Sequence, residues 1–355
     1  MARTASFQPE KNSKSFASNV DVERLWKENT ESIKRFIERQ ADYEKLCAEV
    51  AYILNRELNK EEVEFSTITY RAKTLNSFLE KIQRKSYRDP VAEITDFAGV
   101  RVVCLYNDDL KKLEKVISEH FEIVEKIDKL TDRKADQFGY GAIHFIVRLG
   151  KNASGARYDD LKNLVCEIQT RTVLQDAWAI IDHHLVYKNE SNIPTVLRSR
   201  LNLLAGNFQS VDEKFSDIRA EREEYLRAVE DSKINSEQFL ENELNLDSFV
   251  RYAHWKFPEL PTGTQILDVP FYLNPLMEMN LHTLGELNEI VNLGAAAYDF
   301  YLAENGRDFL NCYAITSVAL AALLVKKEFV PEHLKSVFPK FAEFIEQHHF
   351  TEQQN

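Results

Sequence analysis

Residues 166–172 read CEIQTRT. Side chains two positions apart on a β-strand point to the same face of the sheet. The spacing therefore places Glu167, Gln169 and Arg171 on one face, while Ile168 points the other way. A buried strand rarely carries a carboxylate, an amide and a guanidinium in one row. The stretch predicts a strand whose polar face either forms an ion pair within the sheet or lines a functional site.

Strand-like and helical segments alternate on both sides of this stretch. The strand-like segments are short and bounded by turn-type residues, and they are FSTITYRAK (65–73), AEITDFAGVRVVCLY (92–106), YGAIHFIVRL (140–149) and NLVCEIQTRT (163–172). The helical segments repeat apolar residues three and four positions apart, and they are residues 21–60, TLNSFLEKIQRK (74–85), DDLKKLEKVISEHF (108–121), VLQDAWAIIDHHLVYK (173–188) and residues 193–232. This order predicts an α/β (α+β) domain over residues 21–232, with a mixed β-sheet flanked by helices.

The remaining chain divides into a tail and a second domain. Residues 1–20 read as a flexible polar tail, and residues 236–355 read as a mainly helical domain beyond a boundary near residues 232–243. From Asn235 onward there are 7 Lys and Arg against 17 Asp and Glu, so this part carries a net charge of −10 out of −12. A solvated acidic surface explains this charge, and a sharper alternative is that the acidic domain covers a basic surface of the first domain.

Composition excludes several classes of protein. The four cysteines, Cys47, Cys104, Cys166 and Cys312, are far apart and form no CxxC pair. This argues against a zinc site and a disulfide framework and indicates a reduced, cytoplasmic protein. The first residues lack the apolar run of a signal peptide. The longest apolar run, around Ala314–Val325, is shorter than the roughly 20 residues that a membrane-spanning helix needs, so we expect no membrane association.

Three further segments combine an apolar side with a side that bears functional groups. By strand and helix spacing, the functional sides hold Arg71, Lys73, Ser77 and Lys81, then Asp96 and Arg101, then Tyr140 and His144. Taken singly, each has an ordinary explanation as a solvated cation, a turn aspartate, a structural histidine or a strand-start tyrosine. Taken in order, on compatible faces, they favour a functional site.

The combination of groups is typical of nucleotide chemistry. Cations bind phosphates, paired carboxylates hold Mg²⁺, and a tyrosine ring can stack on a base. The chain has no GxxxxGK[ST] or GxGxxG motif and only 10 glycines, so phosphates would be held by side chains rather than by a glycine-rich loop. The sequence thus predicts a nucleotide enzyme that transfers phosphoryl groups.

Over about residues 40–190, the sequence resembles the synthetase domain of the RelA/SpoT family of alarmone synthetases. The resemblance lies in five motifs in order: R-x-K-x(3)-S-x(3)-K from Arg71, D-x-x-G-x-R from Asp96, G-Y-x-x-x-H from Gly139, E-x-Q-x-R-T from Glu167 and W-A-x(4)-H from Trp178. It implies a nucleotidyltransferase-like fold and transfer of the β,γ-diphosphate of ATP to a ribose 3′-hydroxyl, with release of AMP. The acceptor would be GDP or GTP, and the product (p)ppGpp.

The resemblance implies a donor side of the site. Arg71 and Arg101 would flank the adenine of ATP. Lys73 and Lys81 would hold its phosphates, with Ser77 beside them. Charge neutralisation of this kind is the main demand of phosphoryl transfer.

The resemblance also implies two catalytic carboxylates and an acceptor side. Asp96 would bind Mg²⁺, and Glu167 would share the metal or take the proton from the attacking hydroxyl. On the acceptor side, Tyr140 would stack on the base and His144 would contact a phosphate. Gln169 and Arg171 would order the side chains of the strand that forms one wall of the site.

Two departures from the family pattern lie on the acceptor side, where Asp136 and Ala142 replace a common lysine and serine. They leave open an alternative, a toxin that adds pyrophosphate to the 3′ end of tRNA and is restrained by an antitoxin-like C-terminal domain in phage defence. In that alternative the C-terminal domain would bind its own synthetase domain or a trigger protein. A second alternative is an inactive nucleotide-binding sensor. The sequence leaves homo-oligomerisation open.

Overall fold

The computed structural model describes residues 6–9, 22–128, 141–185, 195–265, 267–307 and 312–348. The chain divides into two compact units, Arg3–Ile218 and Arg219–Asn355. The division falls inside one long helix, whereas the change in composition lies near residues 232–243.

A mixed sheet forms the centre of the first unit, which agrees with the predicted fold class. Among the described residues it has six strands, β1 Ser6–Pro9, β2 Phe65–Ala72, β3 Ala98–Cys104, β4 Phe121–Asp128, β5 Ile143–Leu149 and β6 Cys166–Thr172. The strands lie in the order β1-β2-β3-β6-β5-β4. The β1/β2 and β3/β6 pairs are parallel, and the other neighbours are antiparallel.

Helices pack around this sheet, and two of them cover its apolar side. The helices that lie wholly or partly in the first unit are α1 Val22–Glu28, α2 Thr30–Lys60, α3 Leu75–Arg84, α4 Pro90–Glu93, α5 Asn107–His120, α6 Val173–Leu185 and α7 Thr195–Ser232. The long helix α2 packs on β2, β3 and β6, and α5 packs on β3, β4 and β6. Along α2, buried residues recur at helical spacing and include Ile33, Phe36, Tyr43, Leu46, Val50 and Leu54. Their burial supplies the hydrophobic stabilisation of this layer.

An aromatic cluster within this core packs α2 against α3 and against the residue before β3. Phe36 of α2 stacks on Phe78 of α3 at a centroid distance of 4.7 Å. Phe97, just before β3, lies 5.3 Å from Phe36 and 5.0 Å from Tyr43. Such pairs add to the energy of burial. The cluster therefore anchors both α3 and the turn that carries Asp96.

The strand alternation predicted for β6 is confirmed, whereas on β5 the four consecutive residues 144–147 are all buried. On β6, Cys166, Ile168 and Thr170 are buried, while the predicted polar row at the alternate positions is half-buried. On β5, Phe145 and Val147 belong to the hydrophobic core. The polar side chains of β6 and His144 of β5 lie on the opposite face.

Three local predictions differ from the structure. The segment 92–106 is a strand only from Ala98, because Asp89 caps the short helix α4 and accepts hydrogen bonds from two of its amides. The strands β1 and β4 were not anticipated, and β1 lies within the predicted polar tail. Both are edge strands, and in β4 only Phe121 is buried, so the alternation that marks a half-buried strand is missing.

The second unit is helical, as predicted. Its described helices after α7 are α8 Ser236–Leu240, α9 Leu246–Lys256, α10 Val269–Met277, α11 Leu284–Asn305, α12 Ala314–Val325, α13 Glu332–Val337 and α14 Pro339–Gln347. The apolar run predicted from the sequence forms α12, which is buried from Ala314 to Leu324 and packs against α9, α10 and α11. Across the described ranges, every helix is too short or too polar to cross a bilayer.

Close contact between α11 and α12 yields a prediction about Gly294. A Cβ added there would lie 1.9 Å from the carbonyl oxygen of Ala321, so Gly294→Ala should destabilise the second unit by about 1–3 kcal/mol through overpacking. Helix propensity alone predicts the opposite sign, a gain of up to about 1 kcal/mol. Calorimetric unfolding should therefore show a lower transition temperature.

Gly206→Ala is the matched control, because Gly206 lies in α7 and a Cβ there would meet nothing within 4 Å. We expect this variant to be at least as stable as the wild type. Equal stabilisation by both substitutions would contradict the close helix packing.

Candidate active site

The strand register brings the predicted polar residues to one face of the sheet. Gly99 of β3 pairs with Arg71 on one side and with Glu167 on the other. Gln169 pairs with Arg101 and with His144. Directly paired residues point to the same face. Four strands from distant parts of the sequence thus form one polar surface.

Asp96 is held between two lysines. Its Oδ2 lies 2.9 Å from Nζ of Lys73, and its Oδ1 lies 2.9 Å from Nζ of Lys81. Burial raises the pKa of Asp96, but the charges and hydrogen bonds of the two lysines outweigh this effect and bring the pKa below its usual value. Burial lowers the pKa of Lys73, and Asp96 opposes that change. Asp96 is therefore an ionised carboxylate neutralised by cations.

Local structure holds both lysines in place. The backbone N–H of Lys73 donates to the carbonyl of Phe97 at 2.7 Å and ties the end of β2 to the turn that carries Asp96. Helix α3 begins after its N-cap Thr74, whose hydroxyl accepts from the backbone N–H of Ser77 at 3.3 Å. Lys81 lies four residues after Ser77, so the two share one face of α3.

Glu167 is held by a histidine and an amide. Its Oε1 lies 2.7 Å from Nδ1 of His144, and its Oε2 accepts from Nε2 of Gln169 at 2.9 Å. Burial raises the pKa of Glu167, but the hydrogen bond and charge of His144, together with Gln169, bring it below the usual value. His144 is only 3% exposed, and its Nε2 has no hydrogen-bond partner among the described residues. Contact of His144 with an acceptor phosphate stays a prediction, and Nε2 is the nitrogen left for it.

The two arginines of the polar face share an aspartate that the sequence reading missed. Asp176 Oδ1 lies 3.2 Å from Nη1 of Arg171 and 3.6 Å from Nη1 of Arg101. Arg101 Nε also donates to Oε1 of Gln169 at 3.4 Å. Burial lowers the pKa of Arg171, and the charge of Arg101 lowers it further. Asp176 lies in the first turn of the helix after β6, and this position next to a polar strand could have indicated it as a site residue.

The two predicted catalytic carboxylates lie close enough to interact. The charge of Asp96 acts to raise the pKa of Glu167, although the other contacts outweigh it. Magnesium binds through one or two carboxylates and completes its shell with waters and substrate phosphates. Two ionised carboxylates beside cationic side chains fit that donor set. No cluster of three or more His, Cys, Asp or Glu suited to a metal occurs within the described ranges.

The other motif residues divide between the site and its support. Arg71 lies exposed near the end of β2. Tyr140 lies outside the described residues, as does Asp136. Trp178 is buried and packs its ring 5.7 Å from that of Phe208, so it joins α6 to α7. His184 is exposed on α6.

Comparisons with known proteins identify one sequence family and several similar proteins. The sequence family described as "Region found in RelA / SpoT proteins" matches residues 70–192. GTP pyrophosphokinase YjbM of Bacillus subtilis (strain 168) is 34% identical over 177 residues, which cover 48% of this chain and 80% of the relative. GTP pyrophosphokinase YwaC of the same organism is 31% identical over 157 residues, 42% of this chain and 72% of the relative. The structure of small alarmone synthetase 1 from Bacillus subtilis, bound to its product pppGpp, aligns with a TM-score of 0.42 at 27% identity and covers 54% of this chain and 97% of that chain.

The depressed pKa of Asp96 predicts how Asp96→Asn affects stability. An unfolded aspartate titrates near pH 3.8, so the ionised native carboxylate stabilises the fold above that pH, and this stabilisation is lost as the pH falls through the lower native pKa. The variant should therefore be less stable than the wild type at neutral pH, with its two lysines left to repel each other. The difference should shrink between about pH 5 and pH 3.

Urea unfolding of both proteins across this pH range measures the difference. Asp159→Asn provides the control, because Asp159 forms an exposed ion pair with Lys162, which contributes little. A gap between wild type and Asp96→Asn that stays constant with pH would contradict the ion-pair assignment.

Proposed function

Because this chain belongs to the RelA/SpoT family and is a diphosphotransferase, we propose that it transfers the β,γ-diphosphate of ATP to the 3′-hydroxyl of GDP or GTP. The oxygen of that hydroxyl bonds to the β-phosphorus of ATP. The bond between this phosphorus and the bridging oxygen to the α-phosphate breaks, and AMP leaves. The observation that carries the proposal is the pair of carboxylates, Asp96 and Glu167, beside cationic side chains on one face of the sheet, with pKa values below their usual range.

On the donor side, the chain would bind ATP through charge. Lys73 and Lys81 now neutralise Asp96, and the phosphates of ATP supply negative charge to the same ammonium groups. Arg71 and Arg101 lie on neighbouring strands and can stack on the adenine, since guanidinium groups pack well against aromatic faces. Ser77 lies on the same helix face as Lys81 and can donate a hydrogen bond to a phosphate oxygen.

On the acceptor side, Glu167 would take the proton from the 3′-hydroxyl. It is ionised, and His144 and Gln169 leave its carboxylate little freedom to rotate. A positioned general base typically contributes about 10²–10⁴-fold to the rate. Mg²⁺ held by Asp96 and Glu167 would neutralise the charge on the transferred group. Tyr140 would stack on the acceptor base.

The guanine acceptor is supported by the relatives, both of which are named GTP pyrophosphokinase. One observation favours a second candidate, the 3′ end of tRNA. Ala142, the residue before β5, is buried, and the family pattern commonly has a serine at this position. An alanine here lacks the hydroxyl that a serine could donate to an acceptor, and this difference leaves room for an acceptor other than a guanine nucleotide.

Substitution of the carboxylates tests the catalytic roles. We expect Glu167→Gln to lower kcat by at least about 10²-fold, because the amide cannot accept the proton. Asp96→Asn should have an effect of similar size and should also weaken the dependence of the rate on Mg²⁺ concentration. The measurement is transfer of labelled phosphate from ATP, with circular dichroism to verify the fold. Asp159→Asn is the control for removal of a surface carboxylate. Turnover near that of the wild type in both site variants would contradict the catalytic roles of Asp96 and Glu167.

A labelling experiment identifies the acceptor. Full-length protein is supplied with ATP labelled on its γ-phosphate and, separately, with GDP, GTP or deacylated tRNA. We expect label on GDP or GTP and none on 3′-deoxy-GDP, which lacks the attacking hydroxyl. Label on tRNA alone, absent when its terminal ribose is oxidised, would replace the guanine acceptor with tRNA. No label on any acceptor would favour the nucleotide-binding sensor.

A further inference from the structure

We propose that Asp176 is a positioning residue: paired with both Arg101 and Arg171, it holds the guanidinium group of Arg101 in the orientation that binds ATP. This assignment rests on the proposed function, because Arg101 is placed there at the adenine. Asp176 itself touches no reacting atom in that arrangement. It would act through Arg101.

The backbone of Asp176 is fixed by the junction between β6 and α6. The amide N–H of Thr172 donates to Oε1 of Gln175 at 3.0 Å, and the amide N–H of Gln175 donates back to the Thr172 hydroxyl oxygen at 3.1 Å. The same hydroxyl donates to Oδ2 of Asp212 of α7 at 2.6 Å. This reciprocal pair is the arrangement of a capping box, which orients the first turn of a helix. The first turn of α6 is therefore anchored to the strand that carries Arg171.

A single carboxylate oxygen then serves both arginines. Arg171 lies on β6 and Arg101 on the adjacent parallel strand β3, and Oδ1 of Asp176 contacts both. The three side chains are only 15%, 26% and 20% exposed for Arg171, Arg101 and Asp176. Two like charges this close repel strongly where water is partly excluded. The carboxylate between them offsets that repulsion and limits the rotation of both groups.

The same contacts extend to the proposed catalytic base. Arg101 donates to Gln169, and Gln169 donates to Glu167. If Asp176 only attached α6 to the sheet, its arginine partner would not also need to be hydrogen-bonded, through Gln169, to the proposed catalytic base. Loss of the Asp176 charge should therefore be felt first at Arg101, where ATP would stack, and less at Glu167, which His144 holds independently.

Asp176→Asn removes the charge and keeps the size of the side chain. We expect the KM for ATP to rise about tenfold, while kcat and the KM for the acceptor change less than about threefold. Asp176→Glu, which restores the charge, should recover at least part of the ATP affinity. Asp159→Asn serves as the surface control, and the melting temperature of each variant is recorded.

A double variant tests whether Asp176 acts through Arg101. If it does, Arg101→Leu combined with Asp176→Asn should bind ATP no more weakly than Arg101→Leu alone. Fully additive losses would overturn the proposal. So would a lower melting temperature and a lower kcat with the KM for ATP unchanged, because that pattern belongs to a residue that only fastens α6.

Equilibrium binding separates this inference from the proposed reaction. If wild-type protein transfers no label to any acceptor, the proposed reaction fails, while calorimetric titration with ATP still tests Asp176. Weaker ATP binding by Asp176→Asn than by wild type would then support the positioning role, and equal binding would overturn it. Undetectable ATP binding by the wild type would overturn both.

Discussion

Each of three carboxylates on the polar face of the sheet lies between two hydrogen-bonding or cationic partners. Asp96 lies between Lys73 and Lys81, and Asp176 lies between Arg101 and Arg171. Glu167 completes the set between His144 and Gln169. The opposite face of the same strands is a hydrophobic core, so these charges cannot turn inward. Pairing is what allows so many charged groups to share a half-buried surface.

This pairing has a consequence for chemistry. The partners of Asp96 and Glu167 keep their pKa values below the usual range despite burial, so both carboxylates are ionised near neutral pH. The two lysines that neutralise Asp96 are the groups that the proposal assigns to the phosphates of ATP. Substrate binding would then exchange one set of charges for another on a surface that is already oriented, which reduces the reorganisation needed during transfer.

The second unit is stabilised by packing between helices rather than by a sheet with one polar face. Its core is a helix, α12, surrounded by other helices, and its surface carries most of the net negative charge of the chain. The family match ends at residue 192, before this unit begins. The helical packing accounts for the apolar run in the sequence, and the backbone contact at Gly294 shows how closely two of these helices approach.

Strand alternation is a local property, and for that reason the sequence predicted the two faces of β6 and the polar row Glu167, Gln169 and Arg171. The helix spacing that aligns Ser77 with Lys81 is local in the same sense. The edge strands β1 and β4 were missed because an exposed edge carries little apolar alternation.

Contacts between distant segments depended on the fold. The sequence indicated Lys73, Lys81 and Asp96 as parts of one site, but only the meeting of β2, α3 and the turn before β3 made them an ion-paired cluster. The sequence did not indicate Asp176, because its partners Arg101 and Arg171 lie on two strands. Whether Asp176 reaches both of them depends on the direction in which α6 leaves the sheet. The near-complete burial of His144 against Glu167 likewise follows from the pairing of β5 with β6. Periodicity along a chain reports which way a side chain points, whereas its partner is set by packing between segments far apart in sequence.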